Sequence, residues 1–378
     1  MESKTIKIGF DGRPLIEEEI RGFSRYTFEL IKSLGEISNG LLAFYSFSPE
    51  PINPVFQRAL NLNQVVFKAR REILWEQFEL PRQLKKHRIG IFHATANRGL
   101  PLWRVCKYLL TRHDIIENKP EFSESTPFKS LLRRKYADYV SIRSADAILT
   151  VSEHSKKDIC NYWGVSEGKV IVTYEAANEG FYVKASNEQI EFTKNKYNLP
   201  REYLLYLGGF DKKKNIPALL KGYGLVSGKL PALVLAGEKK WGFPMVEQMV
   251  QKLGISEKIV FPGRIDDHDL PPLYQGAMAF LYPSLYEGFG LQLVEAMASG
   301  IPVIASSKTS LPEVLNGAGL LFNPQDPKTI AEQMVKVVSD RVLHERLCWN
   351  STERAKSFSW QKTAEETLSV YIKALGET

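Results

Sequence analysis

Two glutamates bracket a glycine turn in Glu287-Gly288-Phe289-Gly290-Leu291-Gln292-Leu293-Val294-Glu295. Glycine has no Cβ, so Gly288 and Gly290 let bare backbone approach a ligand. Their amides, with the positive end of a helix starting at Leu291, can face an anion. Ionised carboxylates accept hydrogen bonds, which suits sugar hydroxyls. Glu287 in the turn and Glu295, about one and a half turns into the helix, therefore flank a place for a phosphate beside a polyol. A second stretch, Gly208-Gly209-Phe210-Asp211-Lys212-Lys213-Lys214-Asn215, ends in three lysines before Ile216-Pro217 opens a helix. A lysine there is a point charge for phosphate. Taken alone, each stretch has a plainer reading, a turn that needs glycine or a solvated charge run; together they favour a diphosphate site. His93, after Ile91-Phe92, reads first as a packed or hydrogen-bonded histidine and second as a ligand contact.

These groups need elements that bring both turns to one edge. Tyr203 to Leu207, Ala232 to Ala236, Ile259 to Phe261, Ala279 to Tyr282, Pro302 to Ala305 and Gly319 to Leu321 read as strands, with helices between most of them. The helix Leu291 to Ser299 is closed by Gly300 with Pro302 beyond. Such a doubly wound sheet binds ligands beyond the carboxyl ends of its strands. The first half has the same rhythm, Ile6 to Phe10 and then Tyr26 to Leu34, so the fold class is α/β. A chain of 378 residues exceeds one ordinary core, and two domains are expected, 1–185 and 186–358, with a linker near 180–200. The apolar spacing of Trp360 to Leu375 predicts a terminal helix in 359–378, for which the first domain is a candidate surface to pack back on.

A composition 44% hydrophobic and 25% charged excludes a disordered or fibrous chain. No apolar run is long enough to span a bilayer, so a cytoplasmic protein is expected. Three scattered cysteines, Cys106, Cys160 and Cys348, suit neither a disulfide framework nor a zinc site. The net charge of +7 fits several polyanions. In 129–143, Leu131, Leu132, Tyr136, Tyr139 and Val140 lie among Arg133, Arg134, Lys135 and Arg143. That stretch reads either as an ordinary surface helix or as an amphipathic helix against an anionic membrane.

The chain resembles glycosyltransferase family 4, retaining enzymes of the GT-B fold with two Rossmann-like domains facing a central cleft. The resemblance covers nearly the whole sequence. It rests most on the paired glutamates around Gly288-Phe289-Gly290, and also on Phe261-Pro262-Gly263-Arg264, Leu270 to Ala277 and Ser152-Glu153-His154-Ser155. Arg21-Gly22-Phe23-Ser24-Arg25-Tyr26 is similar to the family's glycine-containing loop, and Arg112-His113-Asp114 to its His-Asp pair. By this resemblance, domain 186–358 binds a nucleoside-diphosphate sugar through Gly208, Gly209, Lys213, Lys214, Arg264, Glu287, Gly288, Phe289, Gly290, Leu291 and Glu295. Glu295 is expected to hold the ribose, Glu287 and the glycine turn the transferred sugar, and Lys214 with Lys213 the leaving diphosphate. His113, Glu287 and Lys214 form the implied catalytic set, with His113 reaching the donor sugar and Glu287 given no nucleophilic role.

Domain 1–185 is expected to bind a glycan or lipid-linked acceptor through Gly22, Phe23, Ser24 and Arg25. Similarity to bacterial mannosyltransferases of surface-polysaccharide synthesis makes GDP-mannose the first choice of donor. A lipid-linked acceptor would give 129–143 a membrane-facing purpose, with the protein peripheral on the inner face of the cell membrane. No metal, other cofactor or nucleic acid is implied. In agreement, Asp266-Asp267-His268-Asp269 precedes a helix and reads as its N-cap region rather than as a metal site. The sequence departs from the pattern at Gly209, where many relatives have an arginine, and at Tyr174-Glu175-Ala176-Ala177-Asn178, where many have Asn-Gly. Lys213 is then the candidate second charge. Two rivals share parts of this chemistry: a nucleotide-sugar epimerase-like GT-B enzyme, and a non-enzymatic protein binding phosphorylated ligands or membranes. A dinucleotide oxidoreductase fits less well, because Gly9-Phe10-Asp11-Gly12 lacks the full glycine spacing.

Overall fold

The computed structural model describes residues 5–16, 22–38, 40–122, 128–240 and 242–376; Arg21 of the glycine-containing loop lies outside them. The chain divides into two compact units, Met1–Glu175 with Ser359–Thr378, and Ala176–Phe358. Each is an all-parallel sheet covered by helices.

In the first unit the strands are β1 (Ile6–Asp11), β2 (Leu42–Ser48), β3 (Leu62–Val66), β4 (Ile91–Ala94), β5 (Lys107–Thr111), β6 (Ala147–Thr150) and β7 (Val170–Val172). Their spatial order is β3-β2-β1-β4-β5-β6-β7, so the winding reverses between β1 and β4. Phe47, Phe92, Tyr108, Leu110 and Ile148 from the sheet pack with Trp75, Leu84 and Ile159 in one core. The terminal helix Trp360–Gly376 belongs to this unit, where the Trp360 ring lies 5.7 Å from that of Tyr26 and edge-on to it.

The second unit holds β8 (Tyr203–Leu207), β9 (Ala232–Ala236), β10 (Ile259–Gly263), β11 (Ala279–Tyr282), β12 (Val303–Ser306) and β13 (Leu320–Phe322). Here the order is β10-β9-β8-β11-β12-β13, with the reversal between β8 and β11. Tyr203, Leu204, Leu205 and Tyr206 are all fully buried, as expected of a strand covered on both faces. Such a strand reads as a continuous apolar run, and the six strand positions expected from the sequence are occupied to within two residues at either end.

The expected linker at 180–200 is structured. Asn187–Lys196 is a helix opened by a capping box between Ser186 and Gln189. Its sparse apolar pattern hid it, while the cap satisfies the first amides that a helix leaves open. The division also falls at Glu175 rather than 185. Phe181 packs on Tyr274 at 5.8 Å between ring centres, and the Tyr182 hydroxyl donates to the carbonyls of Ala355 and Phe358, which ties 179–182 to the second unit. The three cysteines are unpaired. Among the described residues, no helix is long and apolar enough to cross a membrane.

Candidate active site

The pairing of β8 with β11 sets the turns that follow them side by side. This edge is where a doubly wound sheet leaves a crevice, because the chain departs in opposite directions from the two strands. After β8, Gly208 has φ +154 and Gly237, after β9, has φ +155. A Cβ on Gly237 would stand 1.9 Å from the Gly208 carbonyl oxygen, so the two turns pass too closely for any side chain there. Lys212–Lys214 then forms a short 3-10 turn that ends on Asn215 at φ +55. The Asn215 amide donates to the carbonyls of Pro283 at 3.2 Å and Pro324 at 2.9 Å, stapling the lysine turn to the loop after β11. The Leu285 amide donates to the Lys213 carbonyl at 2.7 Å and adds a second staple.

Lys214 is buried, and its Nζ donates to Glu287 Oε1 at 2.7 Å. The ammonium also lies 5.2 Å from the centre of the Tyr282 ring. Burial alone would raise the Glu287 pKa, but the charges of Lys214 and Lys213 and the hydrogen bond from Lys214 outweigh it and hold the carboxyl below its ordinary value. Glu287 is fixed from behind: its amide donates to Thr309 Oγ1 at 3.2 Å, and the Ser310 hydroxyl donates to the carbonyls of Glu287 and Phe289 at 3.1 and 2.8 Å. Gly290, at φ +103, is the N-cap of the helix Leu291–Ala298. A Cβ on it would meet the Leu311 side chain at 2.8 Å.

Glu295 lies inside that helix, buried, and accepts from the Tyr274 hydroxyl at 3.0 Å. The Tyr282 hydroxyl donates to Gln292 Oε1 at 2.8 Å. Lys214, Glu287, Tyr282 and Gln292 thus form one polar set, and Glu295 sits one helical turn beyond Gln292. Lys213 stands beside this set, and its charge acts on Glu287. Arg264 is exposed after β10, with β9 between that strand and β8, and its guanidinium is 3.9 Å from Glu238.

His113 belongs to the first unit, on the loop after β5. Its Nε2 faces the Thr95 carbonyl and its Nδ1 the Glu175 carboxylate, each at 3.0 Å, and its amide donates to Asn97 Oδ1 at 2.7 Å. A carbonyl only accepts, so Nε2 carries a hydrogen. The ring packs on Phe23 at 4.9 Å and on Tyr26 at 4.6 Å. Phe23 opens the helix Phe23–Ile37, whose N-cap is Gly22 at φ +48; Ser24 is buried and Arg25 half-buried. The structure therefore brings His113 and Phe23 together. His93, in contrast, is fully buried between the Tyr371 hydroxyl and Thr111 Oγ1, both at 2.8 Å. Burial, and then the neighbouring His113, push its pKa down to about 3. It is a neutral packing residue.

The supporting residues were hard to read from spacing. Glu175 lies in a segment that looked only like a departure from pattern, Tyr274 and Tyr282 lie in stretches that gave them no site role of their own, and Thr309 and Ser310 carry no motif. Asp269 also differs from expectation. It stands at the N-cap of Leu270–Gln275 but makes no side-chain cap, because Lys196 at 2.7 Å and the Tyr197 hydroxyl at 2.8 Å take its carboxylate. Asp266, His268 and Asp269 bring ligand atoms within 4.8 Å of one another, and Lys196 also bonds Asp266 at 2.8 Å, so an ammonium already bridges the two acids.

Two doubly wound parallel sheets define an α/β protein of the GT-B fold. A glycosyltransferase from Rickettsia africae ESF-5 matches 99% of this chain and 100% of its own with a TM-score of 0.77 at 17% identity. Anabaena Alr3699/HepE, solved in complex with UDP and glucose, matches 97% of this chain and 100% of its own with a TM-score of 0.76 at 16% identity. In sequence, residues 20–179 match Glycosyltransferase Family 4 and residues 187–354 match Glycosyl transferases group 1. The O-antigen chain mannosyltransferase B of Escherichia coli is 31% identical over 385 residues, 97% of this chain and 99% of that protein. The chain belongs to glycosyltransferase family 4 and is an enzyme of the EC 2.4.1 type.

Proposed function

We propose that this enzyme transfers mannose from GDP-mannose to a glycan or lipid-linked glycan with retention of anomeric configuration. The observation that carries the reading is the Lys214–Glu287 pair, 2.7 Å apart beyond β8 and β11 and beside the glycine turn Gly288 to Gly290. Its likeness to a mannosyltransferase over nearly the full chain supports mannose as the hexose. In this reading Lys214, with Lys213, takes up the charge that develops on the departing diphosphate, so the step needs no metal. The turn Gly288 to Leu291 faces the phosphates, Gly208 and Gly209 let them approach, Arg264 closes the donor side, and Glu295 binds the ribose hydroxyls. Glu287 and His113 contact the transferred sugar. Gly22, Phe23, Ser24 and Arg25 meet the acceptor. The helix Phe128–Ser144 lies against an anionic membrane, which its exposed Leu132, Tyr136 and Tyr139 support.

Thermal stabilisation by GDP, UDP, ADP and dTDP, followed by calorimetric titration, tests the donor assignment. GDP is expected to stabilise the protein most. Lys214→Ala and Glu295→Ala are expected to abolish nucleotide binding, whereas Glu287→Ala should keep it and lose transfer. Unchanged affinity in the first two variants, or an equal loss of nucleotide binding in the third, would overturn the division of roles.

A further inference from the structure

The first unit holds a buried histidine whose two ring nitrogens both face acceptors. His113 Nε2 lies 3.0 Å from the Thr95 carbonyl and Nδ1 lies 3.0 Å from Glu175 Oε1. A carbonyl and a carboxylate each accept, so both nitrogens need a hydrogen, and a neutral imidazole has only one. The pair therefore holds one proton more than a neutral ring beside a carboxylate. A free carboxylic acid is the stronger acid of the two by about two pH units, so that proton rests on the ring, and His113 is an imidazolium paired with Glu175.

The other groups packed on the ring do not supply this charge balance. Phe23 and Tyr26 meet it from the helix Phe23–Ile37, and burial keeps the Tyr26 hydroxyl protonated. His93 on β4 is neutral, and Asn97 offers an amide. Arg112, the preceding residue, directs its guanidinium to the carbonyls of Asn97 and Asp114 and to the side chains of Asn118 and Asp138. Asp114, the following one, accepts from the Ile116 amide at 3.1 Å. Glu175 itself is held from both sides of the chain. The Thr173 amide donates to the Thr150 carbonyl at 2.7 Å, and the Tyr174 carbonyl accepts from the Thr363 hydroxyl of the terminal helix. The residue stands in Tyr174 to Asn178, the segment that departs from the family pattern.

We propose that Glu175 is a positioning residue that keeps His113 charged, so that the ring meets the donor sugar as a charge-assisted hydrogen-bond donor. This rests on the reading of His113 as a sugar contact. A sugar hydroxyl takes the place of the Thr95 carbonyl on the Nε2 hydrogen, and an ionised donor makes a bond roughly twice as strong as a neutral one. As the pH rises the pair gives up its extra proton. Nδ1 then turns a lone pair to the carboxylate, the contact breaks, and the ring becomes a neutral donor. Transfer is therefore lost towards alkaline pH.

Ring-nitrogen NMR of isotope-labelled histidines in the whole protein, at neutral pH and without substrate, reads the charge, with His113→Gln identifying the signal. Both nitrogens should be protonated in the wild type. Only Nε2 should be protonated in Glu175→Gln, whose amide can donate to Nδ1 and keep the ring in place. In transfer from GDP-mannose to α-mannobiose, Glu175→Gln should lower kcat/KM about tenfold and lose the alkaline fall, while GDP stabilisation stays as in the wild type. Glu179→Gln, which removes a nearby exposed carboxylate, should match the wild type throughout. A neutral His113 ring in the wild type overturns the proposal whatever the folding of the variants, and so does an alkaline limb that Glu175→Gln retains. His113→Gln separates this from the reading beneath it. If it transfers like the wild type, the sugar-contacting role falls and the proposal with it; if it loses transfer while Glu175→Gln keeps the wild-type profile, the proposal falls alone.

Discussion

Glu287 faces two demands, a buried position and a negative charge, and Lys214 reconciles them at 2.7 Å. An ammonium so close stabilises the ionised carboxylate and lowers its basicity, in keeping with the sugar-contacting role proposed for Glu287. It also makes a pH dependence. The folded pKa of Glu287 is below its ordinary 4.5, so the unfolded chain takes up this proton first as the pH falls. The pair's contribution is complete above 4.5 and is lost as pH drops through the depressed folded value. Wild type and Glu287→Gln should therefore differ by a constant stability above that pH and converge below it. Urea unfolding at stepped pH reads this directly, and a gap that widens towards acid would sink the assignment of charge.

At the scale of elements, the first unit is held by a polar chain that crosses its sheet. Tyr371 on the terminal helix bonds His93 on β4, His93 bonds Thr111 on β5, and Thr111 lies 3.3 Å from the Tyr26 hydroxyl, whose ring supports His113. His93 stays neutral in the fold down to about pH 3, while an unfolded histidine protonates near 6.5. Between those values the unfolded state binds more protons, so stability falls with acid by up to about 1.4 kcal/mol per pH unit from this group. His93→Gln, which removes the proton site, is expected to flatten thermal stability between pH 6.5 and 4.5. An unchanged slope would show that His93 is not buried neutral.

How much of this was legible depends on what shields each element. The second sheet is apolar on both faces, so Tyr203 to Leu207 and Ala232 to Ala236 announce themselves, and the glycine turns with their glutamates follow by position. Asn187–Lys196 is amphipathic only weakly and was hidden in charge. The Tyr371–His93 and His113–Glu175 contacts join residues far apart in sequence, and no local spacing encodes such pairs. Arg112 looked like a flank of His113, yet it is fully buried on Asp138 at 2.8 Å and over the Trp163 ring at 4.7 Å.

That buried ion pair reshapes the outside of the molecule. Asp138, Ser141 and Ser144 turn inward on the helix Phe128–Ser144, so part of its core face is polar. Its solvent face carries Leu132, Tyr136 and Tyr139, 51, 45 and 56% exposed, at helical spacing among exposed Lys129, Arg133, Lys135 and Arg143. Aromatic and aliphatic groups ringed by cations are inverted for water but suited to the interface of an anionic bilayer. Each cation near such a surface contributes about 1 kcal/mol, screened by salt, and the apolar groups add burial in the headgroup region. The protein should sediment with phosphatidylglycerol-containing vesicles, weakly with phosphatidylcholine alone, and less as salt is raised. Replacing Leu132 and Tyr139 together by serine should cut the fraction bound several-fold while GDP stabilisation stays as in the wild type. Retention of full vesicle binding by the double variant would move the membrane contact off this helix.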